Sequence, residues 1–302
     1  MYDVIIIGMG IGGITAGIYG KRAGLNVLMF EKSAPGGMLQ KIDKIQNYPG
    51  FSEISGPDLA LNLFNQVKKV GVPFKFEEVI DVEITEEYKK VITKNGTYEA
   101  KNIIVATGRT PKYLGLDNEK DYLGRGLSTC ASCDGNFYKG EDVAVVGSGN
   151  SALQESLYLA NIVNKVYLIN DNNSDDEEDN LAKLKSLNNV EFLYPFKIKQ
   201  YIGEERISGV EIENINTKET KIIDISCVFP FIGDQPSTYF LSKLGVETNK
   251  GYIITNKFME TNIKNCLAIG DVIDKPLRQV VTACSDGSIA ATRAIHILNG
   301  MK

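Results

Sequence analysis

The sequence contains few of the residues that bind metals or contact nucleic acids. It has one histidine, five cysteines and no tryptophan in 302 residues, and its formal net charge is −5. A zinc site needs four ligands, usually from two closely spaced Cys or Cys/His pairs. Only one such pair is present, because Cys227, Cys266 and Cys284 are isolated and His296 stands alone. We therefore expect no metal, and the lack of a long Lys/Arg block argues against a nucleic-acid partner.

Long apolar runs are also missing. No run approaches the ~20 residues that a membrane-spanning helix needs, and a composition of 43% hydrophobic and 24% charged residues is ordinary for a globular protein. The first predicted strand, Tyr2–Ile7, begins at the second residue and leaves no room for a signal peptide. We therefore expect a cytoplasmic protein of about two domains, in a reducing compartment where structural disulfides are rare.

One closely spaced cysteine pair stands out against this scarcity. It lies in the stretch Cys130-Ala131-Ser132-Cys133-Asp134, between glycine-rich turns at Gly8–Gly13 and Gly147–Ala152. Two cysteines separated by two residues close into a disulfide with little rearrangement, and the lowered thiol pKa of such motifs makes thiolate available near neutral pH. A dithiol beside a bound redox cofactor is the minimal apparatus for passing electrons to a disulfide. We interpret the pair as redox-active.

The first glycine-rich turn has the context of a dinucleotide-binding fingerprint. The apolar run Tyr2–Ile7 predicts a buried parallel strand, and it leads through Gly8–Gly13 into a predicted helix from Ile14 to about Ala23. A second predicted strand, Asn26–Phe30, ends at Glu31. A glycine motif between a strand and a helix, with an acidic residue after the next strand, indicates a dinucleotide site.

The residues of this fingerprint have separate predicted tasks. Gly8 permits the tight turn, Gly10 lets the backbone approach a pyrophosphate, and Gly13 allows close packing of helix on strand. The helix N-terminus offers free N–H groups and the positive end of its dipole to the phosphates. Glu31, 21 residues after Gly10, is placed to accept hydrogen bonds from a ribose.

The same pattern recurs about 140 residues later. The predicted strand Asp142–Val146 runs into Gly147–Ala152, then into a helix to about Ala160 and a strand at Lys165–Ile169. This internal repeat predicts an α/β fold with two Rossmann-like, three-layer dinucleotide-binding domains.

Two segments indicate that the second domain is inserted into the first. The apolar run Asn102–Ala106 ends in Thr107–Pro111, whose Gly and Pro indicate a chain crossover. Near the end of the chain, a predicted strand Cys266–Ile269 closes at Gly270-Asp271, and a helix-compatible stretch follows to Leu298. We predict a first domain formed by residues 1–111 and 243–302, around a second domain formed by residues 112–242.

Taken together, these residues resemble the low-molecular-weight thioredoxin reductase family over essentially the whole chain. The resemblance implies a homodimeric enzyme with FAD in the first domain, which reduces the disulfide of thioredoxin. It is carried by the first glycine turn, Gly36-Gly37-Met38-Leu39-Gln40, Ala106-Thr107-Gly108, the dithiol with Asp134-Gly135, Gly270-Asp271, and Lys275-Pro276-Leu277-Arg278-Gln279.

The resemblance also implies roles for single residues. Cys133 would face the flavin, Cys130 would attack the partner disulfide and Asp134 would move the proton that a leaving thiolate needs. A plainer alternative for Asp134 is a helix cap, since Asp favours helix starts. The implied FAD contacts are Gly8, Gly10, Gly12, Gly13, Glu31, Lys32, Gly37, Gln40, Asn47, Thr107, Gly108, Gly270, Asp271, Arg278 and Gln279.

The other implied residues have plainer alternatives too. Gly270-Asp271 could be only a strand-end turn, and Arg278 only a surface cation. We expect the three isolated cysteines to be buried packing residues, because they lie in or near apolar runs.

One loop departs from the family pattern. NADPH-using members carry His-Arg-Arg-x-x-x-Arg after the second strand of the second unit, and those arginines bind the 2′-phosphate. The corresponding positions here are Asn170, Asp171, Asn172 and Asp176, in a run that continues Glu177-Glu178-Asp179. Carboxylates repel a phosphate, and solvent screens only part of that repulsion. The loop therefore disfavours NADPH as the electron donor.

Two other donors fit the sequence. The chain is similar to the ferredoxin-linked flavin thioredoxin reductases, which lack the arginines, and we favour reduced ferredoxin. NADH is the alternative, because Asp171 lies 22 residues after Gly149 and could hold an unphosphorylated ribose. Three other functions stay open: an NADPH-dependent reductase, a flavin-dependent disulfide-forming oxidase that discharges electrons to oxygen, and a non-enzymatic flavin-binding redox sensor.

Overall fold

The computed structural model describes residues 1–42, 44–85, 87–171 and 178–301. The chain divides into two compact units, one formed by Met1–Thr110 with Gln235–Lys302 and the other by Pro111–Asp234. The second unit is therefore an insertion in the first. The functional domains predicted above, with limits at 111/112 and 242/243, stay a prediction.

The first unit is built from two stretches of chain. The first stretch contains β1 (Tyr2–Ile7), α1 (Ile11–Arg22), β2 (Val27–Glu31), α2 (Gly56–Val70), β3 (Phe74–Phe76), β4 (Val79–Ile84), β5 (Lys89–Thr93), β6 (Gly96–Val105) and β7 (Arg109–Pro111). The inserted unit contains α3 (Ala131–Asp134), β8 (Asp142–Val146), α4 (Asn150–Ala160), β9 (Lys165–Ile169), α5 (Glu178–Lys185), β10 (Val190–Leu193), β11 (Phe196–Ile202), β12 (Gly209–Asn214), β13 (Thr220–Asp224) and β14 (Cys227–Pro230). The returning stretch contains β15 (Asp234–Pro236), β16 (Thr248–Asn249), β17 (Tyr252–Ile253), β18 (Cys266–Ala268) and α6 (Val280–Leu298).

A seven-stranded sheet forms the centre of the first unit. Its order is β3-β2-β1-β6-β5-β4, and β18 also pairs with β6. Strands β1, β2, β3, β6 and β18 run parallel, whereas β5 is antiparallel to β4 and β6. Val4 and Ile6 pack in one apolar cluster with α1 and α6, while Ile5 and Ile7 pack in a second cluster on the opposite face. Because both faces are covered, β1 is a continuous apolar run, as parallel strands commonly are.

Helices α1 and α6 approach each other closely enough to require glycine. A Cβ at Gly287 of α6 would overlap the carbonyl oxygen of Gly12, and a Cβ at Gly12 would lie 3.1 Å from the carbonyl oxygen of Ala283. Small residues at the crossing therefore let the backbone of α6 lie directly beside the first turn of α1.

The inserted unit repeats the parallel arrangement on a smaller scale. Its four-stranded parallel sheet has the order β10-β9-β8-β14, and a separate antiparallel sheet has the order β11-β12-β13. Along β8, Val143 and Val145 pack in one apolar cluster, while Ala144 and Val146 pack in another. The predicted α/β fold with Rossmann-like sheets is confirmed.

Most predicted elements are confirmed, with shifts at their ends. Strands Tyr2–Ile7, Asp142–Val146 and Lys165–Ile169 lie where the apolar runs placed them. Helix α1 begins at Ile11 and not at Ile14, because Gly10 is its N-cap. The run predicted at Asn102–Ala106 is only the second half of β6, whose first half alternates partly buried and exposed residues and pairs with β5. Among the described residues, no helix combines the length and apolar character that crossing a membrane requires.

Candidate active site

The dithiol lies at the start of a short helix in the inserted unit. Cys130 is the N-cap of α3, and its sulfur is bonded to that of Cys133 across a Cα–Cα distance of 5.3 Å. Cys133 is exposed and Cys130 is partly exposed. One helical turn therefore holds the pair in its oxidised form with both residues accessible from solvent, as a dithiol that exchanges with another disulfide requires.

Asp134 ends the same helix, and its carboxylate binds a serine. Its Oδ2 accepts a hydrogen bond from Ser128 Oγ at 2.6 Å. Asp134 is also the N-cap residue of the 3₁₀ turn Gly135–Tyr138, but its side chain makes no capping hydrogen bond to the described residues of that turn. The helix-cap alternative for Asp134 therefore holds for its backbone position and not for its carboxylate, whose role in proton transfer stays a prediction.

The isolated cysteines differ in their surroundings. Cys227 and Cys266 are buried, and burial raises the pKa of Cys227 to about 12 and that of Cys266 to about 11. Both are therefore neutral packing residues near pH 7, as predicted. Cys284 departs from the prediction because it is only half-buried, and its sulfur lies 3.8 Å from Tyr48 Oη.

The first glycine turn forms an open cradle at the start of α1. Gly8 has φ 107°, and a Cβ there would overlap the carbonyl oxygen of Ala106. A Cβ at Gly13 would overlap the carbonyl oxygen of Gly8, whereas one at Gly10 would meet no described atom within 4 Å. Gly10 caps α1 without a side-chain hydrogen bond. The turn thus exposes the first N–H groups of the helix to an open space, which is the arrangement that binds phosphate.

Glu31 lies at the end of β2 and folds back onto this turn. The side chain is buried, with Oε2 accepting from the Met9 N–H at 2.8 Å and Oε1 accepting from the Ser33 N–H at 3.0 Å and Ser33 Oγ at 3.3 Å. A carboxylate has about four acceptor positions. Glu31 therefore stabilises the loops around the cradle and keeps acceptor capacity for a ribose hydroxyl. Lys32, the next residue, is exposed.

The loop after β2 contributes further predicted residues. Gly36 and Gly37 both have positive φ, and a Cβ at Gly37 would lie 3.6 Å from the Cα of Gly10. Gln40 donates from Nε2 to the carbonyl oxygen of Pro35 at 2.7 Å. Asn47 donates from Nδ2 to Gln279 Oε1 at 2.9 Å, although the two residues are 232 positions apart. The fold thus joins two predicted FAD contacts from opposite ends of the chain.

The next predicted FAD contacts follow the carboxyl ends of β6 and β18. Thr107 Oγ1 donates to the carbonyl oxygen of Ser237 at 2.7 Å, and the Ser237 N–H donates to the carbonyl oxygen of Gly108 at 3.1 Å. Asp271 Oδ2 accepts from Arg109 Nε at 3.3 Å and from Nη2 at 3.2 Å. Because β6 and β18 are adjacent and parallel, these residues meet at one edge of the sheet.

The Gly270-Asp271 turn is also held through its backbone. The Gly270 N–H donates to Asp286 Oδ2 at 3.0 Å, and Lys275 Nζ lies 2.6 Å from the same oxygen. Lys275 and Asp286 form an ion pair whose side chains are only about a tenth exposed. Asp286 and Arg109 were not predicted as site residues, since nothing in their local sequence indicates these contacts.

Arg278 is more than a surface cation. Its guanidinium lies 4.1 Å from the ring centroid of Tyr252, and Nη2 donates to the carbonyl oxygen of Ile273 at 3.1 Å. Its Nε is buried and has no hydrogen-bond partner among the described residues. A buried donor without a partner is rare and fits a site that a ligand acceptor completes. The alternative of a plain surface cation is wrong.

The second glycine turn keeps the same open form. Gly149 caps α4 without a side-chain hydrogen bond, and a Cβ there would meet no described atom within 4 Å. Asn170, just after β9, is buried, and its Oδ1 has no hydrogen-bond partner among the described residues. Asp171 is exposed. The other positions of the predicted donor loop, Asn172, Asp176 and Glu177, lie outside the described residues.

These features define a class of protein. The chain has two open glycine turns, the first of them beside loops that hydrogen bonds hold together, and a disulfide of the redox type in the inserted unit. These are the parts of a nucleotide-dependent disulfide oxidoreductase. In agreement, the family model described as Pyridine nucleotide-disulphide oxidoreductase matches residues 2–287, and the chain belongs to that family.

Within that family, the chain belongs to the thioredoxin reductases. It is 40% identical over 301 residues to the thioredoxin reductase of Mycoplasma pneumoniae, covering 99% of this chain and 96% of the relative. The solved thioredoxin reductase of Lactococcus lactis matches with a TM-score of 0.87 at 33% identity and covers 100% of both chains. The ferredoxin-flavin thioredoxin reductase of Clostridium acetobutylicum matches with a TM-score of 0.57 at 29% identity, covering 99% of this chain and 98% of its own. The predicted family is confirmed, but its ferredoxin-linked branch is not the one that these comparisons favour.

The protein is accordingly a flavin-dependent disulfide oxidoreductase of the thioredoxin reductase type, and FAD is its cofactor. The described residues fit that cofactor. The start of α1, where the N-cap Gly10 has no side chain to bind the first N–H groups, can accept a pyrophosphate, and the buried Arg278 Nε offers a donor without a partner among the described residues. That these particular residues bind FAD stays a prediction.

Proposed function

We propose that this enzyme reduces thioredoxin through Cys130 and Cys133 with electrons from reduced ferredoxin and not from NADPH. The choice of donor rests on the type of residue found at the end of β9. The two described residues there are Asn170, an amide, and Asp171, a carboxylate, and the sequence continues with more acidic residues. A hydrogen bond to a charged group contributes ~1.5–3 kcal/mol. A 2′-phosphate would lose such bonds here and would meet negative charge instead.

The energetics of this donor are favourable. A plant-type ferredoxin near −400 mV and a thioredoxin near −270 mV differ by roughly 130 mV, which is about 6 kcal/mol downhill for two electrons. The transfer therefore needs no nucleotide hydride.

We assign the dithiol chemistry to three side chains. FAD, when bound, would supply the two electrons that open the Cys130–Cys133 bond, and two protons from solvent would complete the two thiols. Cys130 passes its proton to Asp134 and attacks one sulfur of the partner disulfide as a thiolate, and the expelled partner thiolate takes that proton from Asp134. Cys133 then attacks Cys130 and gives its own proton to the second partner thiolate, which is released as the internal disulfide is restored.

An exposed aromatic residue supports a protein partner. Phe137 lies three residues after Asp134 in the 3₁₀ turn and is 80% exposed. A large apolar side chain held in water beside a reactive disulfide is typical of a surface that another protein covers. We assign Phe137 to the thioredoxin contact. The homodimer implied by the resemblance and the cytoplasmic location predicted from the sequence belong to the same proposal, and light scattering of the FAD-loaded protein tests the first.

NADH is a second candidate donor, and two observations favour it. The second glycine turn is still open at Gly149, and the buried Asn170 Oδ1, which has no partner in the described part of the chain, lies at the strand end where a ribose would bind. An unsatisfied buried acceptor costs ~1–3 kcal/mol, and a ribose hydroxyl would satisfy it.

The donors are separated by an anaerobic mixing experiment. The purified FAD-containing protein is mixed with reduced ferredoxin, NADH or NADPH, and the visible flavin absorbance is followed. Bleaching by ferredoxin alone supports the proposal, whereas rapid bleaching by NADPH would overturn it. Rapid reoxidation in air, without thioredoxin reduction, would instead indicate the disulfide-forming oxidase.

Gly149→Val provides the matched control. A Cβ at this position would meet no described atom within 4 Å, so we expect valine to fill the open cradle and leave the described fold unchanged. It should abolish bleaching by NADH and leave bleaching by ferredoxin unchanged. Loss of both would mean that the variant damages the fold and that a smaller Gly149→Ala change is needed to separate the donors.

A further inference from the structure

We propose that Ser128 is a positioning residue for Asp134 and that its hydroxyl satisfies the carboxyl group in both protonation states. This inference rests on the proposed function, in which Asp134 exchanges a proton during each disulfide transfer. It adds a residue that lies outside the Cys-x-x-Cys-Asp motif.

The Ser128 hydroxyl lies at the centre of three contacts. It donates to Asp134 Oδ2 at 2.6 Å, accepts from the Cys130 N–H at 3.1 Å, and lies 3.3 Å from the Cys130 carbonyl oxygen. Ser128 is only 5% exposed. One buried hydroxyl therefore connects the predicted acid to the backbone of the predicted attacking cysteine.

The position of this hydroxyl is fixed by the parallel sheet of the inserted unit. The Ser128 N–H donates to the carbonyl oxygen of Val228 in β14 at 3.1 Å, and Leu127 forms a parallel bridge with the same residue. Leu127 is fully buried in the apolar cluster beneath. Ser128 thus extends the edge of the sheet, which gives Asp134 a rigid partner although α3 itself is a single turn.

The local turn formed by Ser128 does not by itself require the hydrogen bond between Ser128 and Asp134. A serine hydroxyl that accepts from the N–H two residues ahead is a common local turn, and the Cys130 N–H supplies that bond. The additional hydrogen bond to a carboxylate six positions further on has no part in such a turn. Its effect is to hold the Asp134 carboxyl group in position.

The donor and acceptor positions of the Ser128 hydroxyl match the needs of a carboxyl group that gains and loses a proton. A hydroxyl has one donor and two acceptor positions. When Asp134 is ionised, Ser128 donates to its Oδ2 and accepts from Cys130. When Asp134 is protonated, its O–H donates to Ser128 Oγ, and the Ser128 proton turns to the Cys130 carbonyl oxygen 3.3 Å away. Every group keeps a partner in both states, so the proton transfer requires no movement of the backbone.

The test uses FAD-containing enzyme that has been reduced photochemically, so that the identity of the donor does not matter. Oxidised thioredoxin is added, and the single-turnover rate of its reduction is measured. In Ser128→Ala, the rate should fall about tenfold, because the hydroxyl that holds the proton-exchanging carboxyl group in place is lost. Ser128→Thr, which keeps the hydroxyl, should restore the wild-type rate.

Two further variants make the result specific. Asp134→Asn should slow the reaction at least as much, and adding Ser128→Ala to it should cause no additional loss of rate, because the two side chains then act as one unit. Ser186→Ala is the matched control, since among the described residues its exposed hydroxyl donates to the Lys183 carbonyl oxygen in the same unit and not to the dithiol segment. Its rate should match the wild type.

The outcomes separate this inference from the function on which it rests. If reduced wild-type enzyme does not reduce thioredoxin, the proposed function fails. If it does, but Ser128→Ala lowers the rate of Asp134→Asn by the same factor as that of the wild type, Ser128 has only a structural role and the inference is overturned. If Ser128→Ala does not fold, Ser128→Gly removes the same hydroxyl and is judged by the same comparison.

Discussion

Arg109 and Asp271 form an ion pair at the edge of the sheet where the first unit is predicted to bind FAD. Arg109 Nη2 lies 3.2 Å from Asp271 Oδ2, and both side chains are about a quarter exposed. The carboxylate that the family resemblance assigns to FAD is therefore held in place by a cation from a different strand. The pair connects the first residue of β7 with the turn that follows β18.

Replacing Arg109 should weaken FAD binding. In Arg109→Met the carboxylate of Asp271 keeps its charge but loses the donors that orient it, and each hydrogen bond to a charged group is worth ~1.5–3 kcal/mol. We expect an increase of about tenfold in the FAD dissociation constant, measured by fluorescence titration of the apoprotein. Arg22→Met, at an exposed position near the end of α1, is the control. Equal affinities in all three proteins would show that the ion pair has no part in FAD binding.

Removal of Asp286 should destabilise the protein more than removal of its whole ion pair. Asp286→Ala leaves Lys275 nearly buried without a partner and frees the Gly270 N–H, and breaking a buried pair in this way costs ~3–5 kcal/mol. The double variant Lys275→Met/Asp286→Ala should recover much of this loss, since no unpaired charge remains. Thermal unfolding of the three proteins tests the order, and a double variant as unstable as Asp286→Ala would contradict it.

Cys130→Ser should abolish thioredoxin reduction and leave FAD bound and photoreducible. The variant lacks the predicted attacking sulfur, whereas the predicted FAD contacts in the first unit are unchanged. Cys284→Ser, at a half-buried position on α6, is the control and should keep full activity. Flavin absorbance and a thioredoxin-reduction assay measure the two properties separately. Full activity in Cys130→Ser would rule out the dithiol mechanism.

Phe137→Ala should raise KM for thioredoxin about tenfold and leave kcat nearly unchanged. The side chain is 80% exposed, so its loss affects a partner surface and not the core, and an aromatic anchor in an interface is worth about 1–2 kcal/mol or more. Reduction of a small disulfide, which covers no protein surface, should be unaffected and serves as the internal control. A matching loss with both substrates would place Phe137 in the dithiol chemistry instead.

Lys89→Met should stabilise the protein at neutral pH. Lys89 is only 2% exposed, and burial lowers its pKa from the ordinary value of 10.5. The unfolded chain therefore binds more protons, and the destabilising effect of Lys89 is fully present below its lowered pKa and disappears as the pH rises towards 10.5.

The expected gain at pH 7 is about 1 kcal/mol, or roughly 2 °C in Tm. Calorimetry at pH 7 and pH 10 should show this gain shrinking as the pH rises. Lys90→Met is the control, since Lys90 is the next residue of β5 and its side chain is a third exposed. A gain for Lys89→Met that does not change with pH would mean that packing, and not charge, is the cause.

Local features of the fold were predictable from the sequence. The buried parallel strands appear as continuous apolar runs because both of their faces are covered. Gly8 and Gly147 mark their turns because both require positive φ, which residues with a Cβ rarely adopt. The dithiol is equally local, since Cys130 and Cys133 lie on one helical turn. Each of these features depends on residues close together in the chain.

Contacts between distant segments were not predictable in this way. Asn47 meets Gln279 across 232 positions, and Arg109 meets Asp271 across 162. The second contact exists because β18 pairs beside β6 in the sheet, a choice that packing of the whole unit makes. The residues that neighbour Arg109 or Asp286 in the sequence form no periodic pattern that would predict these distant partners.

The sequence by itself determined the class of fold and the redox dithiol, because strand periodicity, turn conformation and disulfide geometry are short-range properties of the backbone, whereas the family came from the resemblance of its motifs. Only the tertiary structure decided which polar side chains support the reactive groups. Ser128 reaches Asp134 because the edge of β14 fixes its backbone, and Asp286 reaches Gly270 because α6 packs against α1 at glycine. Such contacts depend on how layers of structure pack together, which the order of residues along one strand or helix does not specify.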